Sequence, residues 1–182
     1  STLNLEPFYY ARKFVIKNDT IPKLFFKGVT STRPALAHFS SEILEGKGTM
    51  FKMENYFQEL VKYRVALSIA GIGEFCYRDV ECMAVGVPFL RFEYQAEMAE
   101  PLIPNFHYIS IPRPDDMPMD SRKVKTDRIA EPHHIKMLEK RFLEVVNDIE
   151  FLDFISKNAR EYYVKYLASD VRAKNTIELL GL

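Results

Sequence analysis

Excess charge of either sign is absent from this sequence: 25 lysines and arginines balance 25 aspartates and glutamates. A chain built mainly to bind nucleic acid carries a basic surplus that neutralises phosphates, so that class is disfavoured, while a local basic site for a small anion remains open. Cysteine is scarce. Cys76 and Cys82 are too few for a disulfide framework and give no reason to place the chain in an oxidising compartment. They lack Cys-x-x-Cys spacing and a neighbouring histidine, which leaves packing as their reading. Apolar runs are short, and none approaches the roughly 20 residues that span a bilayer. The opening Ser1–Pro7 has neither the basic start nor the apolar stretch of a signal peptide. Cytosolic residence is the default expectation, with the lumen of the secretory pathway as the alternative where a targeting segment has been removed. Internal repeats and low-complexity stretches are missing as well.

What is present is apolar material for a real core, 47% of 182 residues, in a length that fits one domain. Residues 1–22 are mixed and poorly periodic, and read as a lead or interdomain segment ahead of a domain over 23–182. Short apolar runs predict strands at Lys23–Val29, Arg64–Ala70, Phe89–Phe92 and His107–Ile111. Helices are expected over Ala35–Leu44, Asn55–Tyr63 and Tyr77–Val85, the last stopped by Gly86 and Pro88. Residues 112–129 read as a loop, and from about 131 the chain looks almost wholly helical. Apolar strands alternating with helices predict an α/β fold: a Rossmann-like, doubly wound parallel sheet with a helical C-terminal extension. Ligands bind such sheets beyond the carboxyl ends of the strands. The loops after Val29, Ala70, Phe92 and Ile111 are therefore the places where function is sought.

The stretch from Gly71 to Pro88 carries the clearest chemistry. Gly71 and Gly73 after a strand let backbone amides approach an anion, and the next helix presents its positive N-terminal end. Arg78 in the first turn adds a cation suited to bidentate phosphate contact. Glu81, one turn on, can accept from ribose hydroxyls. The bland alternative is a tight strand-to-helix turn with Arg78 and Glu81 in solvent. Gly-x-Gly alone favours that alternative; the added Arg and Glu favour a site. Glu93, Tyr94 and Gln95, after the third predicted strand, are placed to meet a base or a sugar.

The run Glu81-Cys82-Met83-Ala84-Val85-Gly86-Val87-Pro88 resembles the E-x-M-A-x-G-x-P segment of the C-terminal, donor-binding domain of GT-B glycosyltransferases. The longer pattern is similar to glycosyltransferase family 90, the protein O-glucosyltransferase and capsule xylosyltransferase group. It includes Lys62-Tyr63, the Gly71 loop with Arg78, Gly86, Glu97, Pro101-Leu102 and His107-Tyr108-Ile109. Phe26-Lys27-Gly28 with Thr30, Ser31, Thr32 and Arg33 resembles that family's strand and donor loop. The closing residues around Asn147-Asp148, Ile155, Asn158-Ala159, Tyr163 and Leu167 resemble its last helices. The resemblance implies a glycosyltransferase that takes glucose or xylose from a UDP-sugar donor to a glycan or protein hydroxyl, without a metal or other cofactor. It implies diphosphate contacts from Arg78, Gly71, Gly73, Arg33 and Lys27, and ribose or nucleoside contacts from Glu81, Glu93 and Tyr94. It also implies that the acceptor-binding N-terminal domain, and the general base with it, lie outside this chain.

Other polar groups read more plainly. Asp115, Asp116 and Asp120 fall in a Pro-rich loop without Asp-x-Asp spacing, and read as solvated. His133 and His134 are neighbours at a helix start, where side chains diverge by about 100°, so they read as capping or surface residues rather than as metal ligands. His107 and Tyr108 either line the crevice or pack the fourth strand. Tyr162, Tyr163 and Tyr166 read as helix-packing core. Two rival functions remain. Gly71-x-Gly73 after a strand, with Glu93 about twenty residues on, fits part of a nicotinamide dinucleotide fingerprint, although Cys76 stands at the third glycine position. A non-catalytic module that binds a nucleotide sugar fits the same residues.

Overall fold

The computed structural model describes residues 4–18, 24–26, 44–45, 53–69, 74–117 and 132–180. Five strands, β1 (Leu24–Phe25), β2 (Leu44–Glu45), β3 (Val65–Leu67), β4 (Phe89–Phe92) and β5 (Ile109–Ile111), pair in parallel in the order β2-β1-β3-β4-β5. The register sets Leu24 beside both Leu44 and Val65, Leu67 beside Leu90, and Phe92 beside Ile111. The helices are α1 (Glu6–Asn18), α2 (Met53–Leu60), α3 (Tyr77–Val85), α4 (Pro132–Val145), α5 (Ile149–Tyr162) and α6 (Ser169–Leu180), with a π-helical segment over Tyr163–Leu167. This is an α/β chain with an all-parallel sheet, compatible with a Rossmann-like fold.

A parallel sheet covered on both faces needs near-continuous apolar strands, and β1, β3, β4 and β5 are buried at every position. Alternate side chains feed two apolar clusters. Leu24, Val65, Leu67, Leu90, Phe92, Ile109 and Ile111 join residues of α4 and the start of α5. Phe25, Ala66, Phe89 and Tyr108 join residues of α2, α3 and the end of α5. α4 earns its place through Ile135, Leu138, Phe142 and Val145, which recur at helical spacing on one buried stripe.

Both ends of α3 are tightly held. At its start, the Asp79 carboxylate accepts from the Cys76 backbone N–H at 2.9 Å, closing a capping box. At its end, Gly86 adopts φ 67° and ψ 28°; its N–H returns to Met83 and that of Val87 to Cys82, a Schellman closure that needs a left-handed residue. From α5, Ser156 donates to the Gly86 carbonyl at 2.5 Å and Arg160 donates to that of Ala84. Arg160 also pairs with Glu6 of α1, and α1 packs on α3 and α5.

Several expectations shift. Residues 6–18 have no clear apolar stripe in sequence, yet form α1. Leu44, expected to end a helix over 35–44, begins β2; residues 35–43 lie outside the described residues. β3 and β5 are shorter than the apolar runs that announce them, β4 spans its run in full, and the run behind β1 extends outside the described residues. The expected loop is seen as far as Met117, and helical structure resumes at Pro132. No helix among the described residues is long and apolar enough to cross a membrane.

Candidate functional site at the carboxyl edge of the sheet

From β1 the sheet grows one way to β2 and the other way to β3, β4 and β5, so the strand order reverses between β1 and β3. A parallel sheet opens a crevice at such a point, beyond the carboxyl ends of its strands. Arg78 reaches it. Its guanidinium lies 4.4 Å from the ring centre of Phe26, just past β1, and Nη1 stands 3.4 Å from the carbonyl oxygen of Leu67, the last residue of β3. Burial works against the charge of Arg78, but its polar neighbours, Tyr56 first among them, more than offset this and its pKa moves up. It remains a cation at any pH of interest.

Glu81 sits one helical turn beyond Arg78, half-buried. Burial raises its carboxyl above the ordinary range, against the pull of Tyr56 and Arg78. Tyr56, from α2, faces both side chains; its phenol is pushed far up, by burial first. Arg78, Glu81 and Tyr56 thus form one polar group at the mouth of α3. Gly71, Gly73, Arg33 and Lys27 lie outside the described residues.

Glu93 and Tyr94 fall on the β4–β5 side rather than with Arg78. Glu93 accepts from the Ser110 hydroxyl at 3.3 Å. The Tyr94 ring lies under the Arg91 guanidinium at 3.4 Å and against Tyr108, with ring centres 5.2 Å apart. Burial, with the charge of Asp79 behind it, lifts the Tyr94 phenol well above its usual value.

The same edge holds an ion network that the sequence pattern did not disclose. Arg91, on β4, pairs with Asp79 of α3 at 2.6 Å, and both are almost fully buried. Asp79 also accepts from the Ser68 hydroxyl, while Arg91 donates to the carbonyls of Glu74 and Phe92 at 2.8 and 3.0 Å. Burial opposes the charge of Arg91, and Asp79 more than restores it. Glu74 pairs with Arg113 at 2.7 Å and accepts from the backbone N–H groups of Gln95 and Ala96 at 2.8 and 2.6 Å. The loops after β3, β4 and β5 are therefore tied together. One signal was available: Arg91 is a charge inside the otherwise apolar strand Phe89-Leu90-Arg91-Phe92, and such a charge needs a buried partner.

Burial, reinforced by Asp79, raises the Cys76 thiol, and burial raises the Cys82 thiol well above its ordinary value; both shifts favour the protonated thiol over the reactive thiolate. His107 packs at the start of β5, away from the crevice. Its Nδ1 accepts from the Ile103 N–H at 2.9 Å and its ring lies 5.0 Å from that of Tyr162. Beside it a cavity of about 470 Å³ is lined by Pro101, Phe106, Tyr162 and Tyr166 among others, at the opposite edge from Arg78. Tyr162 belongs to the core, with Tyr163 and Tyr166 packed against it, as their spacing suggested.

His134 departs from the surface reading, whereas His133, 58% exposed, keeps it. His134 is fully buried, and the Nε2 atoms of both rings reach the carboxylate of Asp116, at 2.7 Å from His133 and 2.9 Å from His134. Those contacts, that of His134 foremost, hold the Asp116 carboxyl below its ordinary range.

The geometry defines a class of protein and no more: a parallel α/β domain with a cationic helix start at its strand-order reversal. No family model matches the chain, and no curated protein or solved structure matches it either.

Proposed function

We propose that this chain is the donor-binding half of a GT-B glycosyltransferase, a doubly wound, Rossmann-like domain with a helical C-terminal extension. In this reading it holds UDP-glucose or UDP-xylose, and the sugar passes to a glycan or protein hydroxyl presented by an acceptor domain outside this chain. The observation that carries the proposal is the place of Arg78, between the ends of β1 and β3. Glycosyl transfer leaves a diphosphate on which negative charge develops, and a positioned guanidinium beside a helix N-terminus stabilises that charge. Arg78 and the start of α3 supply both. The sequence adds the backbone of Gly71 and Gly73, with Arg33 and Lys27, to the diphosphate contacts. Glu81 takes the ribose hydroxyls, and Glu93 and Tyr94 meet the nucleoside.

The test is calorimetric titration of the chain with UDP, GDP, UDP-glucose, UDP-xylose and NAD. Saturable binding of a nucleoside diphosphate is expected, weakened about 10- to 100-fold in Arg78→Ala, the range for a charged hydrogen bond worth ~1.5–3 kcal/mol. Glu81→Ala is expected to weaken it about tenfold. Binding of NAD alone overturns the reading in favour of a dinucleotide domain. Binding indifferent to both substitutions removes the site from this crevice.

The raised pKa of Glu81 gives a second expected result. A ribose hydroxyl donates to the ionised carboxylate, so the bound-state pKa lies below that of the free protein. Binding then releases a proton, and affinity climbs as pH rises through the titration of free Glu81. Titrations in buffers of different ionisation heat read this release directly. Glu81→Gln is expected to abolish it.

A further inference from the structure

The geometry points to a binding site for one divalent transition-metal ion, of the zinc class, formed by Asp116, His133 and His134. Asp116 lies in the loop after β5, and the histidines open α4. Seventeen and eighteen residues separate Asp116 from the two histidines, and the fold closes that gap. Neighbouring residues on a helix diverge, but these two occupy its first turn, and their rings turn to face each other with centres 4.0 Å apart. Each presents Nε2 to a different oxygen of the same carboxylate. The donor atoms of all three residues lie within 4.8 Å of one another.

A zinc-class ion binds imidazole nitrogen and carboxylate oxygen at ~2.0–2.2 Å, which spaces neighbouring donors by ~3–3.5 Å. The present contacts of 2.7 and 2.9 Å are a little closer, as suits ligands that bond directly to each other before an ion enters. A shift of a few tenths of an ångström admits it. His134 is immobilised: it is fully buried, with its ring edge-on to Phe92 at 6.1 Å between centres. The side chains of His133 and Asp116 are 58% and 59% exposed, so the ion has an open approach and water can complete its shell. Two imidazoles and one carboxylate favour zinc, cobalt, nickel or copper; magnesium and calcium favour oxygen donors. The inference is independent of the nucleotide-sugar reading and assigns the ion no part in sugar transfer.

The experiment is titration of the whole, chelator-treated chain with Zn²⁺ by calorimetry and with Co²⁺ by visible absorption. Each is repeated on Asp116→Asn and His133→Ala. Both variants change exposed side chains, and thermal unfolding of each checks that the fold persists; His134→Ala is avoided because it empties a buried position. One ion per chain is expected, with a visible Co²⁺ spectrum showing nitrogen ligation, and at least a roughly tenfold loss of affinity in each variant. Absence of saturable binding overturns the inference. So does binding that ignores both substitutions, or a preference for Mg²⁺ over Zn²⁺.

Discussion

Asp79→Ala is expected to cost the folded domain about 3–5 kcal/mol, the range for removing one partner of a buried ion pair. The alanine leaves the Arg91 guanidinium, which is 2% exposed, without its counter-charge. It also strips the Ser68 hydroxyl and the Cys76 N–H of their acceptor. Water cannot easily replace those contacts, since Asp79 and Ser68 are both buried. Urea unfolding measures the loss. Asp79→Asn keeps an acceptor but not the charge, so it is expected to fall between alanine and wild type. Asp79→Leu combined with Arg91→Met removes both charges, and is expected to lose less than either single substitution, because no ion is left stranded. A double variant as unstable as the sum of its parts would mean that the two residues act through their other contacts rather than through each other. The pair also bears on function. Asp79 is the neighbour of Arg78 on the first turn of α3 and locks that turn to β3 and β4, so the aim of Arg78 depends on a contact that never touches a ligand.

The parts of the fold that could be read from sequence obey the rule of apolar outside-to-inside patterning. Val65-Ala66-Leu67, Phe89-Leu90 and Ile109 announce buried strands because both faces of a parallel sheet want apolar side chains. Gly86 announces the end of α3 because a left-handed residue is needed there. Failures occur where polar groups fold inward. α1 buries Arg12 completely, with Nη2 donating to the Arg64 carbonyl at 2.5 Å, so a charge stands where a helical pattern is read by its apolar residues. β2 is a two-residue strand with one partner, too short for any periodicity. At the site, Arg78 and Glu81 were legible because they stand one helical turn apart at a predicted helix start. The Asp79–Arg91 pair was not: Arg91, a charge within Phe89-Leu90-Arg91-Phe92, announces the need for a partner, but Asp79 alone reads as an ordinary first-turn acid and nothing in the sequence joins the two. Asp116 and the two histidines are joined only by tertiary structure, and adjacency on a helix argued against them.

Gly86→Ala is expected to destabilise the domain by about 2–5 kcal/mol, and the loss has two separable sources. At φ 67° an L-residue costs roughly 1–2 kcal/mol through contact of its Cβ with the backbone. The added Cβ would also stand 2.6 Å from the Tyr9 ring and 3.0 Å from the Ser156 hydroxyl oxygen, a packing conflict worth about 1–3 kcal/mol. Tyr9→Ala clears the ring, so in that background Gly86→Ala should cost the conformational part and the lesser Ser156 contact, which chemical denaturation of the four proteins in the cycle can extract. Full recovery in the Tyr9→Ala background would show that steric conflict with α1 is the whole effect. No recovery would place it in the backbone and the Ser156 contact. In the expected case the site registers the same division. Gly86 fixes where α3 ends, and Ser156 and Arg160 of α5 grip that end. A conflict with Tyr9 is expected to displace the end of α3, the helix whose first turn carries Arg78. Nucleoside-diphosphate affinity should therefore fall in Gly86→Ala and return with Tyr9→Ala, even though neither side chain faces the ligand.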